Sequence, residues 1–369
     1  MTSRRRPLAW AVALLLSAGC STYQPFDSVG YLRGQYTARL GAARAAAIVV
    51  PFALDDAVRA AVDREVPRTP DEDLRITEVL DFIFHRLDLR YAMSPTRDAV
   101  STFESRHGNC LSFVNLFVGV ARERQLNPFY VEVTDLQKWN RRENTVISQG
   151  HIVAGLYVNG RLATYDFLPY RPKSYKTFKP IDDLTAAAHY YNNLGAEALL
   201  EGEVDKAQSL VEIATEIAPA FDKGLNNLGV CYARRGQLDR ALEVYERALR
   251  ASPGNTLILT NQARAYQQLG RGGEAKTILA KIEGENTTNP YFFVYEGEVA
   301  LADGDTAKAL DYMARALRLD TELPEVHLGF VKVYLALGDT DKARHHLERA
   351  LKLDASNVEA KKLAHMLGR

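Results

Sequence analysis

The sequence predicts an α+β domain followed by an all-α solenoid, and three observations carry that prediction. From residue 188 onward residue types recur with a period of 34, the signature of stacked supersecondary units. Ahead of the repeats, residues 71–87 place Leu74, Val79, Leu80, Ile83, Phe84 and Leu87 close to a 3.6-residue period, the mark of an amphipathic helix. Between these regions, Asn159-Gly160 separates two alternating apolar runs, the strongest short-range signal for a β-hairpin. With 369 residues the chain is long enough for two domains, each with a core.

Composition is that of an ordinary globular protein, with 47% apolar and 25% charged residues. The 46 basic and 46 acidic side chains cancel, so nothing pulls the whole molecule towards nucleic acid or anionic lipid. Residues 1–19 have the layout of an export signal: Arg4, Arg5 and Arg6, an apolar run over 8–16, then small residues. The run is short for a bilayer span. It ends in Leu16-Ser17-Ala18-Gly19-Cys20, which resembles a bacterial lipoprotein box. Ser17 holds the place where that family has its large aliphatic residue, and Leu16 stands one step further out. The resemblance implies that Cys20 carries lipid and becomes the mature N-terminus; the alternative is an ordinary cleaved signal with a stray cysteine. Ser21 after the cysteine, in place of Asp, implies the periplasmic face of a Gram-negative outer membrane. Ser3-Arg4-Arg5 is only an incomplete twin-arginine pattern. The remaining thiols, Cys110 and Cys231, fall in different units, so disulfide stapling is not expected.

Five units start at Ala188, Asp222, Thr256, Pro290 and Pro324, and together they fill residues 188–357. The fifteenth position is glycine in each (Gly202, Gly236, Gly270, Gly304, Gly338), and the twentieth is alanine (Ala207, Ala241, Ala275, Ala309, Ala343). Glycine permits the turn between two antiparallel helices and alanine lets them approach. Leu194-Gly195 and Leu228-Gly229, with Pro219 and Pro253 closing their units, complete a pattern that resembles the tetratricopeptide repeat. That resemblance implies a right-handed solenoid and a protein or peptide partner, with residues 358–369 as a capping helix. Position six is Asn193, Asn227 and Asn261 in the first three units, with Asn192 and Asn226 beside two of them. These are candidate peptide-binding residues, because an amide side chain can hold a peptide by its backbone; capping of local turns or simple solvation is the alternative. Cys231, between Val230 and Tyr232, reads as a small packing residue.

The non-repetitive region opens with a tether over 20–30, then helical stretches at 31–47, 54–65 and 71–87 and a short helix at 97–105. Gly108-Asn109 breaks the pattern, and Asn109 is placed to cap a helix running to about residue 125. Cys110, Val114, Phe117 and Ala121 share one face of it. A helix N-terminus stabilises an anion, but an inert packing cysteine fits the same place. Downstream, a two-residue turn at Asn159-Gly160 pairs Val158 with Arg161, His151 with Leu168 and Val153 with Asp166. His151 and Asp166 then share a face as diagonal neighbours on adjacent strands, within reach of one another as a base and its orienter.

Cys110 in "GNCLSF", His151 in "QGHIVAGLYV" and Asp166 in "ATYDFLP" resemble, in order and spacing, the Cys-His-Asp set of the transglutaminase-like superfamily. The resemblance spans residues 71–169 and implies a papain-like fold over 31–183. It also implies Cys110 as nucleophile, His151 as general base and acid, and Asp166 as orienter. The implied reaction is attack on an amide, an acyl-enzyme, and release to water or an amine, with no cofactor. The Cys110 backbone N–H is one oxyanion donor; the second is not placed. A non-catalytic periplasmic scaffold working through its repeats is the competing class. His107 reads as a loop residue, His85 as packing or capping, and His345-His346 lacks partners for a metal site. Trp139, in the irregular stretch before the hairpin, lines a cleft or packs. No zinc, phosphate-loop or dinucleotide motif is present.

Overall fold

The computed structural model describes residues 27–142, 145–167, 177–283, 287–355 and 357–367. Residues 1–26, which include the expected export signal, Cys20 and the start of the expected tether, lie outside the described residues. Helix α1 (Ser28–Leu40) already begins within the stretch expected as tether, because Asp27 caps it by accepting from Gly30 N at 2.8 Å. Where one helix was expected over 31–47, Gly41 takes φ +78° and divides α1 from α2 (Ala42–Ala47). A left-handed residue cannot continue a right-handed helix.

Asp55, Asp71 and Asp98 cap α3 (Asp56–Glu65), α4 (Glu72–Asp81) and α5 (Ala99–Ser105), each accepting from the backbone N–H three residues on. The last turn of the expected 71–87 helix is π-helical, over Phe82–Arg86. A short parallel pair, β1 (Arg90–Tyr91) with β2 (His107–Gly108), leads into α6 (Cys110–Glu123). Every residue from Leu111 to Ala121 in α6 is buried, so the single apolar face read from sequence is too narrow. This helix is the axis of the core, packed by α3, α4, α5 and the main sheet.

Four further strands follow: β3 (Phe129–Arg142), β4 (Thr145–Val158), β5 (Arg161–Tyr165) and β6 (Phe178–Ile181). Among the described residues they form an antiparallel sheet in the order β5-β4-β3-β6. Asn159 and Gly160 both adopt positive φ, 50° and 73°, and Val158 pairs with Arg161 as the spacing predicts. The β3–β4 hairpin was not read from the sequence. Its register shifts between Val133, opposite His151, and Lys138, opposite Gln149; Trp139 pairs with Ser148 inside β3, not in an irregular stretch.

Helices α7 (Asp183–Glu201) to α16 (Thr340–Leu353) pair off along the chain. The pairs are α7 with α8 (Val204–Ile217), α9 (Asp222–Arg234) with α10 (Leu238–Ala251), α11 (Thr256–Gln268) with α12 (Gly272–Glu283), α13 (Pro290–Ala302) with α14 (Thr306–Leu319), and α15 (Pro324–Ala336) with α16. Helix α17 (Val358–Met366) packs on α16. The turn glycines all have positive φ, from 72° to 85°, and the paired alanines are buried. Both follow from the 34-residue pattern.

One apolar core runs through the junction. Leu32 and Tyr36 of α1, most of α6, and Tyr130, Ile152, Ala154 and Leu156 of the sheet join Ala186, Tyr190 and Tyr191 of α7 and Ile217 of α8 in a single cluster. Each buried leucine, isoleucine or phenylalanine among them contributes about 1.5–3 kcal/mol on full burial. Polar contacts reinforce the junction. Arg122 forks onto Asp183 at 2.7 and 2.8 Å, and Lys223 Nζ reaches Glu132 of β3 at 2.5 Å. The first repeat is therefore built into the N-terminal unit.

Candidate active site

Asn109 adopts an extended backbone (φ −88°, ψ −176°), and its Oδ1 accepts from Ser112 N at 3.0 Å and from Ser112 Oγ at 2.9 Å. That cap fixes the start of α6 and sets Cys110 at its first position, half-buried. Gly108 is required by close packing, since a Cβ there would lie 2.5 Å from Ser112 Cβ.

His151 enters from β4, beside the register shift and 6% exposed. Its ring Nε2 donates to Asp166 Oδ2 at 3.1 Å, and Cys110 lies close enough to act on its charge. Burial opposes a charge on the ring. The hydrogen bond to Asp166, with the interaction with Cys110 and the charges of both, outweighs it and raises the His151 pKa to about 9. Asp166, just past β5, is held between two aromatic anchors. Tyr165 lies 5.5 Å from the Phe117 ring, and Phe167 stacks on Phe84 at 4.8 Å and meets Phe113 edge-on at 6.0 Å. These anchors were missed in the sequence; their signal is the alternation Tyr-Asp-Phe, in which the carboxylate leaves one side and the rings the other.

The structure thus brings Cys110, His151 and Asp166 together at a helix N-terminus, with His151 hydrogen-bonded to Asp166 and its charge felt by Cys110. The other thiol differs: Cys231 is fully buried, and burial pushes its pKa up to about 12. His85 is exposed beside Asp81 at 3.0 Å, and His107 Nδ1 bonds Ser105 O at 2.6 Å. His346 stacks on Phe330 and Tyr334, with its Nδ1 3.0 Å from His327 Nδ1, and burial lowers its pKa to about 4. Among the described residues no three His, Cys or carboxylate side chains converge as a metal site.

Asn193, Asn227 and Asn261 are all buried. Asn227 Nδ2 donates to Asn192 Oδ1 at 2.8 Å and Asn261 Nδ2 to Asn226 Oδ1 at 2.9 Å, so the amides link α7, α9 and α11. Strand β4 packs against the same three helices.

Models of the tetratricopeptide repeat match residues 192–256, 232–293 and 300–367. The C-terminal half is a tetratricopeptide solenoid. Its similar solved structures include a thermophilic tetratricopeptide protein of Thermus thermophilus, at 23% identity and TM-score 0.45, covering 49% of this chain and 98% of that one. Another is PilF of Pseudomonas aeruginosa, at 24% identity and TM-score 0.40, covering 50% of this chain and 84% of that one. No curated protein matches the chain. Tetratricopeptide arrays typically dock protein or peptide partners on their stacked helices.

Proposed function

We propose that this chain is an exported, lipid-anchored cysteine enzyme acting on amide bonds. Its N-terminal unit is a transglutaminase-like (papain-like) domain, and its solenoid docks the protein or peptide that carries the amide. The observation that carries the reading is the line Asp166–His151–Cys110, with the thiol at the first position of α6.

Cys110 passes its proton to His151, and the thiolate adds to the amide carbonyl carbon, giving a tetrahedral oxyanion. The Cys110 backbone N–H, which has no acceptor within α6, donates to that oxyanion. Collapse breaks the C–N bond as His151 protonates the departing amine, leaving a thioester on Cys110. Water or a second amine then attacks the thioester while His151 takes its proton. The product leaves as acid or new amide, and the thiol is restored. Asp166 holds the imidazolium that forms in both halves; such positioned proton transfer is worth about 10²- to 10⁴-fold in rate. A ligand reaching Asn227 and Asn261 has to open the amide ladder that links them to Asn192 and Asn226.

The test is alkylation of the purified full chain by iodoacetamide across pH 4 to 9, with mass spectrometry resolving Cys110 from Cys231. Cys110 is expected to label fast well below pH 8 and to slow sharply in His151→Ala, while Cys231 stays unlabelled. Slow labelling with an ordinary thiol profile, unchanged by the substitution, sinks the enzyme reading. It leaves the scaffold reading, which the extent of the repeat array favours.

A further inference from the structure

Glu197 sits in mid-α7, on the first repeat, between the buried Ala196 and Ala198. A carboxylate there is unexpected, since burial disfavours its charge. What it receives is Thr96. The Thr96 backbone N–H and the Thr96 hydroxyl both donate to Glu197 Oε1, each at 2.8 Å. Thr96 itself is buried, 101 residues away in sequence.

The polarity of the remaining bonds follows from this contact. A threonine hydroxyl has one proton. Given to Glu197, it leaves a lone pair facing Asn109 Nδ2, which donates to Thr96 Oγ1 at 2.7 Å. With its NH₂ so engaged, Asn109 must turn Oδ1 the other way, where it accepts from Ser112 N at 3.0 Å and Ser112 Oγ at 2.9 Å. Ser112 Oγ in turn accepts from Arg97 N at 2.8 Å. Glu197 is thus the terminal acceptor of a directed chain that ends in the cap of α6, one residue before Cys110. The cap itself is local; the group that orients it comes from the solenoid.

From this chain we infer that Glu197 is a positioning residue for Cys110, so that the first tetratricopeptide helix completes the site instead of merely flanking it. The inference rests on the enzyme reading for its catalytic meaning, but not for its geometry. Burial raises the Glu197 pKa, against the two Thr96 bonds that lower it. Acceptance, and not charge, is what Thr96 requires, so Glu197→Gln preserves the function and Glu197→Leu removes it.

Two measurements on the full chain test this, each in Glu197→Leu, Glu197→Gln, Thr96→Val and Thr96→Ser. Amide hydrogen exchange at Ser112 reads the cap directly, and the pH profile of Cys110 alkylation reads its consequence. Urea unfolding and Cys231 labelling report whether each variant is folded. The expected result is faster Ser112 exchange and about 10²-fold slower Cys110 labelling at pH 6 in Glu197→Leu and Thr96→Val, the scale of a catalytic group misplaced by about 1 Å. Recovery is expected in Glu197→Gln and Thr96→Ser. If wild-type labelling is ordinary and independent of His151, the enzyme reading fails, and faster Ser112 exchange still supports the positioning. If labelling is His151-dependent but Glu197→Leu and Thr96→Val, both folded, change neither exchange nor profile, the inference is overturned while the enzyme reading stands.

Discussion

Replacing Asp166 by asparagine isolates the electrostatic part of the site, because the side chain keeps its shape and its acceptor while losing its charge. An ordinary histidine titrates near 6.5 and His151 at about 9. That gap is worth about 3 kcal/mol at about 1.4 kcal/mol per unit. The folded state binds this proton more tightly than the unfolded state does. The stabilisation is therefore fully present below pH 6.5 and is lost as pH rises through 9. Burial lowers the ring's pKa, so the raise comes from Asp166 and Cys110 together. A hydrogen bond to a charged group contributes about 1.5–3 kcal/mol and a neutral one about 1 kcal/mol, so Asp166→Asn removes roughly half of the gap. Urea unfolding at intervals from pH 6 to 10 measures it. Wild type is expected to lose about 3 kcal/mol more across that range than His151→Gln, and Asp166→Asn about 1–2 kcal/mol more. Identical pH dependence in all three proteins refutes the assignment of a charged His151 held by Asp166.

Two further outcomes follow from other parts of the molecule. Gly108→Ala drives a methyl group to 2.5 Å from Ser112 Cβ, and since Ser112 is fixed by the Asn109 and Arg97 bonds, thermal unfolding should show a loss of about 1–3 kcal/mol; an unchanged melting temperature counts against a rigid cap. Cys20→Ala in the native host should shift the protein from the membrane fraction to the soluble one, since it removes the residue proposed to carry lipid; retention in the membrane fraction counts against the anchor.

What the sequence made legible was local or repeated. The 34-residue register fixes the turn glycines and the small alanines because the same constraint recurs in five units. Asn159-Gly160 places His151 against Asp166 because a two-residue turn with both φ positive admits one register. The β3–β4 hairpin was not legible. Asp135, Gln137, Lys138, Asn140, Arg141 and Arg142 give no alternation, and the strands form through mutual backbone pairing, a non-local term absent from any short window. Gly41 looks tolerable in an alanine-rich run and reveals its positive φ only in three dimensions. Glu197 carries no local signal in the sequence, because its partner Thr96 is 101 residues away.

The core shared by α6, α7 and α8 seals the first end of the array against the N-terminal unit. A stacked array ordinarily needs a polar cap on each side; here the cap ahead of α7 is replaced by the N-terminal fold. Growth or loss of 34-residue modules is therefore hindered at this end, whereas next to α16 a unit can be added or shed by re-seating α17. Inserting one before α9 would strip Lys223 from Glu132. Across descendants of such a chain, reach should vary from the far end while the spacing from Cys110 to Glu197 stays fixed.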